Sequence, residues 1–282
     1  MTSDTHDTAP TQFIEARGIR FAYRRFGAPA RTPIVFLQHF MGNLDDHDPV
    51  LSDGLATDRE VILFNNTGVA STSGLVPETI EEMALDATAL IDALGLVRVD
   101  LIGHSMGGLV AQEMAIRRPD LIRRIVLVGT APRGGERVGA LPPETAALFS
   151  MTYPRQQDMW LPILFAPSDT SQKLGRDYVA RIVARTDRDE PFSGQSVLAQ
   201  STAIAAYGAA KDPAYRSLKS ITAPALVVNG TDDTIIPTIN SYLLQQFLPN
   251  AQLILYPDAN HGAHFQYPEL FLAHARLFLD EQ

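Results

Sequence analysis

Residues 101–115 read LIGHSMGGLVAQEMA, three glycines crowding one serine where an apolar strand-like run gives way to a helix-like one. Gly103-His104-Ser105-Met106-Gly107 has the form G-x-S-x-G. At a strand-to-helix turn this pattern holds its central residue in strained backbone geometry and projects the side chain above the sheet. Glycines two positions before and after the serine remove Cβ atoms that would collide in so tight a bend. Gly108 then lets the new helix approach the sheet closely. The helix N-terminus brings unpaired N–H groups and a partial positive charge toward the serine oxygen. Ser105 is therefore a candidate nucleophile. The motif is short and recurs by chance, so its weight comes from its place between a six-residue apolar strand and a well-formed helix.

The flanking chain repeats that strand–helix rhythm. FIEAR and RFAYRRFG within 13–27 read as a hairpin around Gly18. PIVFLQHF (33–40) and EVILFN (60–65) are continuous apolar runs, as expected for strands covered on both faces, with a short helix between them at 47–58. In 78–96, Ile80, Met83, Ala84, Ala87, Leu90, Ile91 and Leu94 recur at helical spacing, with Glu81, Glu82 and Asp86 off that face. Thr79 with Glu82 reads as a capping box and Gly95 as the stop. VDLIGH and RRIVLVG follow as strands on either side of the helix that starts at Met106. From about Pro132 to Pro213 buried-strand runs are missing and helix-like pieces alternate with proline and glycine. ALVVNG (225–230), TINSYLLQQFLP, QLILYP and PELFLAHARLFL then resume as strand, helix, strand, helix.

These elements predict an α/β fold with a mostly parallel sheet and helices on both faces. The core is expected over 13–131 and 214–282, interrupted by a helical insertion over 132–213. Residues 1–12 read as a disordered tail.

The 282 residues suffice for one large α/β domain with an inserted subdomain, and 45% hydrophobic against 20% charged is an ordinary globular mixture. A net charge of −9 without any basic run argues against nucleic acid and anionic membrane as partners. Zero cysteines exclude disulfides, thiolate catalysis and cysteine zinc sites, and fit a cytoplasmic location. The polar start lacks the order of a signal peptide, and no window approaches a membrane span.

A serine hydroxyl needs a base, and the base needs an orienting acid. Asp232 and Asp233 directly follow the strand ALVVNG. His261 and His264 sit in the loop after the strand QLILYP. The chain order serine, aspartate, histidine matches the one this architecture dictates. No histidine pair has metal-ligand spacing with a carboxylate, and no metal or organic cofactor is expected.

On these motifs the chain resembles the α/β-hydrolase superfamily, over all of its length except the tail and the insertion. The resemblance implies an eight-stranded sheet with a helical cap. It places the acid three residues after a glycine and four before a proline, which Gly230 and Pro237 make Asp233. It places the base before a glycine, as His261 precedes Gly262. It also implies an oxyanion hole built from the N–H of Met106 and that of Phe40, where His39-Phe40 stands in place of the family's His-Gly. A second departure is Asn65-Asn66-Thr67-Gly68-Val69-Ala70-Ser71-Thr72, which lacks the family's frequent Asp–Arg pair and predicts a different support for the loops. In the cap, Phe149, Tyr153, Met159, Trp160 and Phe165 are candidate substrate-binding residues.

The expected activity is hydrolysis of a small or medium uncharged carboxylic ester or lactone. The same triad serves perhydrolases, carbon–carbon bond hydrolases and acyltransferases. A small-ligand receptor on the same scaffold is the non-enzymatic alternative. Composition leaves the oligomeric state open.

Overall fold

The apolar runs that lack alternation are strands with both faces covered. The computed structural model describes residues 4–280. Its strands are β1 (Gln12–Ala16), β2 (Ile19–Gly27), β3 (Ile34–Leu37), β4 (Glu60–Phe64), β5 (Val99–His104), β6 (Ile122–Val128), β7 (Ala225–Gly230) and β8 (Ala251–Tyr256). They form one sheet in the order β1-β2-β4-β3-β5-β6-β7-β8. β1 and β2 pair antiparallel, as do β2 and β4, and the remaining pairings are parallel. At the β1–β2 turn Arg17 and Gly18 both have positive φ, 51° and 75°, the backbone that matches strand twist in a two-residue hairpin.

Successive residues of the parallel strands feed two cores. Val35 and Leu37, Leu101, Ile125 and Leu127, and Val227 point to one side. There they meet α2 (Ile80–Ala93) and α3 (Met106–Arg117). Ile34 and Phe36, Ile102, Val126 and Val128, and Leu226 and Val228 point to the other, against α1 (Pro49–Ala56) and the C-terminal α10 (Pro268–Asp280). This period of two, buried on both sides, is why these strands read as unbroken hydrophobic runs.

Between β6 and β7 the described chain forms α4 (Pro143–Leu148), a 3₁₀ turn (Gln156–Met159), α5 (Trp160–Leu164), α6 (Asp169–Ile182) and α7 (Gly194–Ala209). After β7 come α8 (Ile239–Phe247) and, after β8, the short α9 (Ala263–Gln266). Among the described residues no helix is long and apolar enough to cross a membrane.

Three details depart from the sequence expectation. The tail expected over 1–12 is packed where it is described, and residues 1–3 lie outside the described residues. His6 and Ala9 are fully buried, the His6 amide donates to Asp53, and Arg185 donates to the His6 carbonyl. Polar composition hid these two anchors, because each uses a backbone group. The strand expected over 33–40 ends at Leu37, where Gln38 turns inward, accepting from the His39 amide and donating to the Asn43 carbonyl. The capping box is half formed. Thr79 accepts from the Glu82 amide, but the Glu82 carboxylate pairs with Arg17, and Asp86 is buried between Arg17 and Thr67.

Candidate active site

β5 ends at His104 and α3 begins at Met106, so the whole reversal falls on Ser105, whose φ and ψ are 55° and −119°. A side chain held there costs about 1–3 kcal/mol that the surrounding packing must offset. The glycines account for the tightness. A Cβ on Gly103 would lie 2.5 Å from the Gly107 carbonyl oxygen, and one on Gly107 would overlap the Leu37 carbonyl of β3.

Ser105 opens on two adjoining cavities. The larger, about 120 Å³, is apolar and has Leu109, Leu141, Ile204 and Ile236 in its wall beside Phe40, Ser105 and Met106. The smaller, about 20 Å³, is bounded by His39, Trp160, Ile163 and Leu164, with Ser105 on one side and His261 on the other. Phe40, Phe149 and Ile235 belong to both.

The loop after β8 carries His261, which is buried. Its Nδ1 donates to Asp233 Oδ2 at 2.9 Å, which leaves the lone pair of Nε2 available. Asp233 Oδ1 accepts from the amides of Ile235 and Ile236, both at 2.9 Å, so the carboxylate is fixed by the turn after β7. Asp232 is exposed and accepts from Thr231, away from His261. His264 is buried and packs on Phe265 and His104 without lining either cavity. Ser105 and His261 face one cavity without a direct hydrogen bond between them. Catalytic contacts of this kind commonly tighten only when substrate binds.

Met106 follows Ser105 directly in the chain, and Phe40 shares both cavities with it. Among the described residues neither the Phe40 nor the Met106 N–H donates to another group of the protein. Phe40's neighbours are both engaged, His39 to Gln38 and Met41 to the Gln200 side chain on α7. Leu44 donates to the Asn65 side chain at 2.8 Å, and Asn65 in turn donates to Asp189. Asp45, in the same loop, pairs with the fully buried Arg24 of β2 at 2.5 Å. In place of a pair within Asn65–Thr72, the Asn65 amide bridges Leu44 and Asp189, and Arg24 of β2 holds Asp45.

Histidine packing surrounds the site. His39, His104, His261 and His264 are all buried, and the His104 ring lies 5.2, 5.0 and 4.5 Å from the other three in that order. His104 Nε2 donates to the His261 carbonyl at 3.0 Å. Burial lowers His39 to about 4, and burial with neighbouring imidazoles lowers His104 and His264 well below the ordinary range. These rings are neutral near pH 7 and do not compete as cations with His261. Nearby, burial raises Asp46 to about 6, partly opposed by the Asn43 amide, Arg188 and the Trp160 indole.

Of the five cap residues expected to bind substrate, Phe149 and Trp160 line the cavities beside Ser105. Met159 and Phe165 are buried in the packing of the inserted helices, with Phe165 against Tyr178. Tyr153 donates to the Leu148 carbonyl. Neither Met159, Phe165 nor Tyr153 lines those cavities. Sequence reading missed His39, Gln200, Leu141 and Ile204. Only His39 had a local signal, its adjacency to Phe40.

A family model described as the alpha/beta hydrolase fold matches residues 32–268. The chain belongs to that family. An alpha/beta hydrolase fold protein from Chitinophaga pinensis is 41% identical, with a TM-score of 0.93 over 99% of this chain and 100% of that one. A putative carbamate hydrolase, RutD, from Pseudomonas savastanoi pv. phaseolicola is 26% identical over 90% of this chain and 96% of its own. A solved structure described as Est816, an N-acyl homoserine lactone degrading enzyme, is 25% identical with a TM-score of 0.73, covering 95% of this chain and 100% of that one.

Proposed function

We propose that this protein is a serine hydrolase that cleaves a small or medium uncharged carboxylic ester or lactone through an acyl-enzyme. The observation that carries the reading is that Ser105, on a strained turn, shares a cavity with His261, whose other nitrogen is held by Asp233.

In this reading His261 Nε2 takes the Ser105 proton as the oxygen attacks the carbonyl carbon. The developing oxyanion is received by the Phe40 and Met106 amides, which among the described residues have no other partner to give up. Asp233 holds the imidazolium, which protonates the leaving group. Water, activated by the same nitrogen, then releases the acid. Leu141, Phe149, Trp160 and Ile204 of the inserted segment 132–213 line the cavities beside Ser105, which supports reading that segment as a cap on a core of 13–131 and 214–282. The apolar wall of the larger cavity supports an uncharged acyl group. The cysteine-free composition supports a cytoplasmic location.

The names of the relatives widen the panel to be tested, because a carbamate and a homoserine lactone pass through the same tetrahedral step. The experiment is turnover of methyl esters of graded acyl length, followed by release of acid, with a lactone and a carbamate included, by wild type and Ser105→Ala. Many cycles per second, falling about 1,000-fold or more in the variant, supports the enzyme. Tight binding with at most one turnover would mark a ligand receptor instead.

A further inference from the structure

Trp160 stands between two unlike spaces. On one side is the 20 Å³ cavity shared by Ser105 and His261. On the other is a polar chamber of about 230 Å³, whose wall includes Asn43, Asp46, Gln156, Gln157 and Arg188. The indole is 3% exposed and packs edge-on to His39 with ring centres 4.7 Å apart, so it is held from the oxyanion loop.

The chemistry of the triad assigns the two sides of Ser105. Phe40 and Ser105 border both cavities, Met106 lines only the 120 Å³ apolar one, and His261 lines only the 20 Å³ one. The group that His261 protonates must lie on the histidine's side. The acyl chain therefore takes the larger cavity and the leaving group the smaller. A space of 20 Å³ holds little more than one water or methyl group.

We propose that Trp160 is a specificity-determining partition: it confines the leaving alcohol to a very small group and keeps the polar chamber out of reach of Ser105. The inference rests on the serine-hydrolase reading. The chamber beyond the indole offers amide, carboxyl and guanidinium groups, so the alcohols it would admit on removal of the wall are longer ones bearing hydroxyls.

The test compares kcat/KM for acetyl and butyryl esters of methanol, butanol and diethylene glycol, on wild type, Trp160→Ala and Trp160→Phe. In wild type, lengthening the alcohol from methyl to butyl costs roughly 10-fold or more, while lengthening the acyl group from acetyl to butyryl does not. In Trp160→Ala the methyl-to-diethylene-glycol preference shrinks by roughly 10-fold or more, and Trp160→Phe keeps the wild-type ratio. Equal tolerance of acyl and alcohol length in wild type overturns the partition, and needs no variant to fold. So does an unchanged ratio in a Trp160→Ala protein that still labels at Ser105 with a fluorophosphonate. Failure of wild type itself to label there overturns the hydrolase reading, and the partition with it.

Discussion

The amide of Met41 donates to the side-chain oxygen of Gln200 at 2.9 Å, across 159 residues of chain. Met41 has a φ of 63°, unusual for a residue with a Cβ, and follows directly on Phe40. A helix of the inserted segment thus holds the loop that carries Phe40, which shares both cavities with Ser105.

Replacing Gln200 by leucine leaves the Met41 amide buried without an acceptor and frees the loop to shift. The expected result is a fall in kcat of about 10-fold or more, bounded by the ~10²–10³ that loss of a whole oxyanion donor costs. KM for a small ester changes less. Steady-state kinetics check it, and a KM-only effect would assign Gln200 to substrate binding.

Asp233 and Asp232 are adjacent and geometrically opposite. Asp233→Asn keeps the shape but can present N–H to His261 Nδ1, favouring the wrong tautomer, and kcat is expected to fall by roughly 10⁴. Asp232→Asn, at an exposed carboxylate bonded to Thr231, leaves kcat within about twofold of wild type. A reversed pattern in parallel assays would move the acid to Asp232.

Acid should unfold the protein through its buried histidines. His39 titrates near 4 when folded against 6.5 as a free side chain. Between those values the unfolded chain binds a proton the folded chain does not, so stability falls as pH drops from 6.5 to 4, by ~3 kcal/mol for this group. His47, His104 and His264 are lowered by burial and act in the same direction. Asp46, raised to about 6, opposes them as it takes up its proton. His264→Leu is expected to move the acid-unfolding midpoint, followed by circular dichroism, to lower pH. An unchanged midpoint would mean that ring does not carry the transition.

Arg24 and Asp45 form an ion pair with both side chains fully buried. Arg24→Met leaves Asp45 with the more distant Arg185, and roughly 3 kcal/mol of stability should be lost. Adding Asp45→Asn should recover part of it. Urea unfolding of the two variants measures the difference, and equal losses would show that the pair is not coupled.

Much of this was readable in the chain because the signals are local. A glycine-flanked serine between a strand and a helix needs no distant information, and the apolar runs identify strands buried on both faces. Asp233 and His261 were readable only through the resemblance, since Asp232 and His264 have the same chemistry one and three residues away. What separates them is the Ile235 and Ile236 amides on Asp233 and the Phe265 packing of His264. The cap was the least legible. Phe149 and Trp160 have the same residue character as Tyr153, Met159 and Phe165, and only tertiary packing decides which rings reach Ser105. The described part of the tail misled through its composition, because it is anchored by backbone groups of His6 and by one small apolar side chain, Ala9.

The most direct measurement is to treat the protein with a fluorophosphonate at neutral pH, then map the modified peptide by mass spectrometry. The account predicts one adduct, on Ser105, formed with loss of esterase activity, absent from Ser105→Ala and greatly slowed in His261→Ala. Full inactivation with the adduct elsewhere, or undiminished ester turnover by Ser105→Ala, would contradict it.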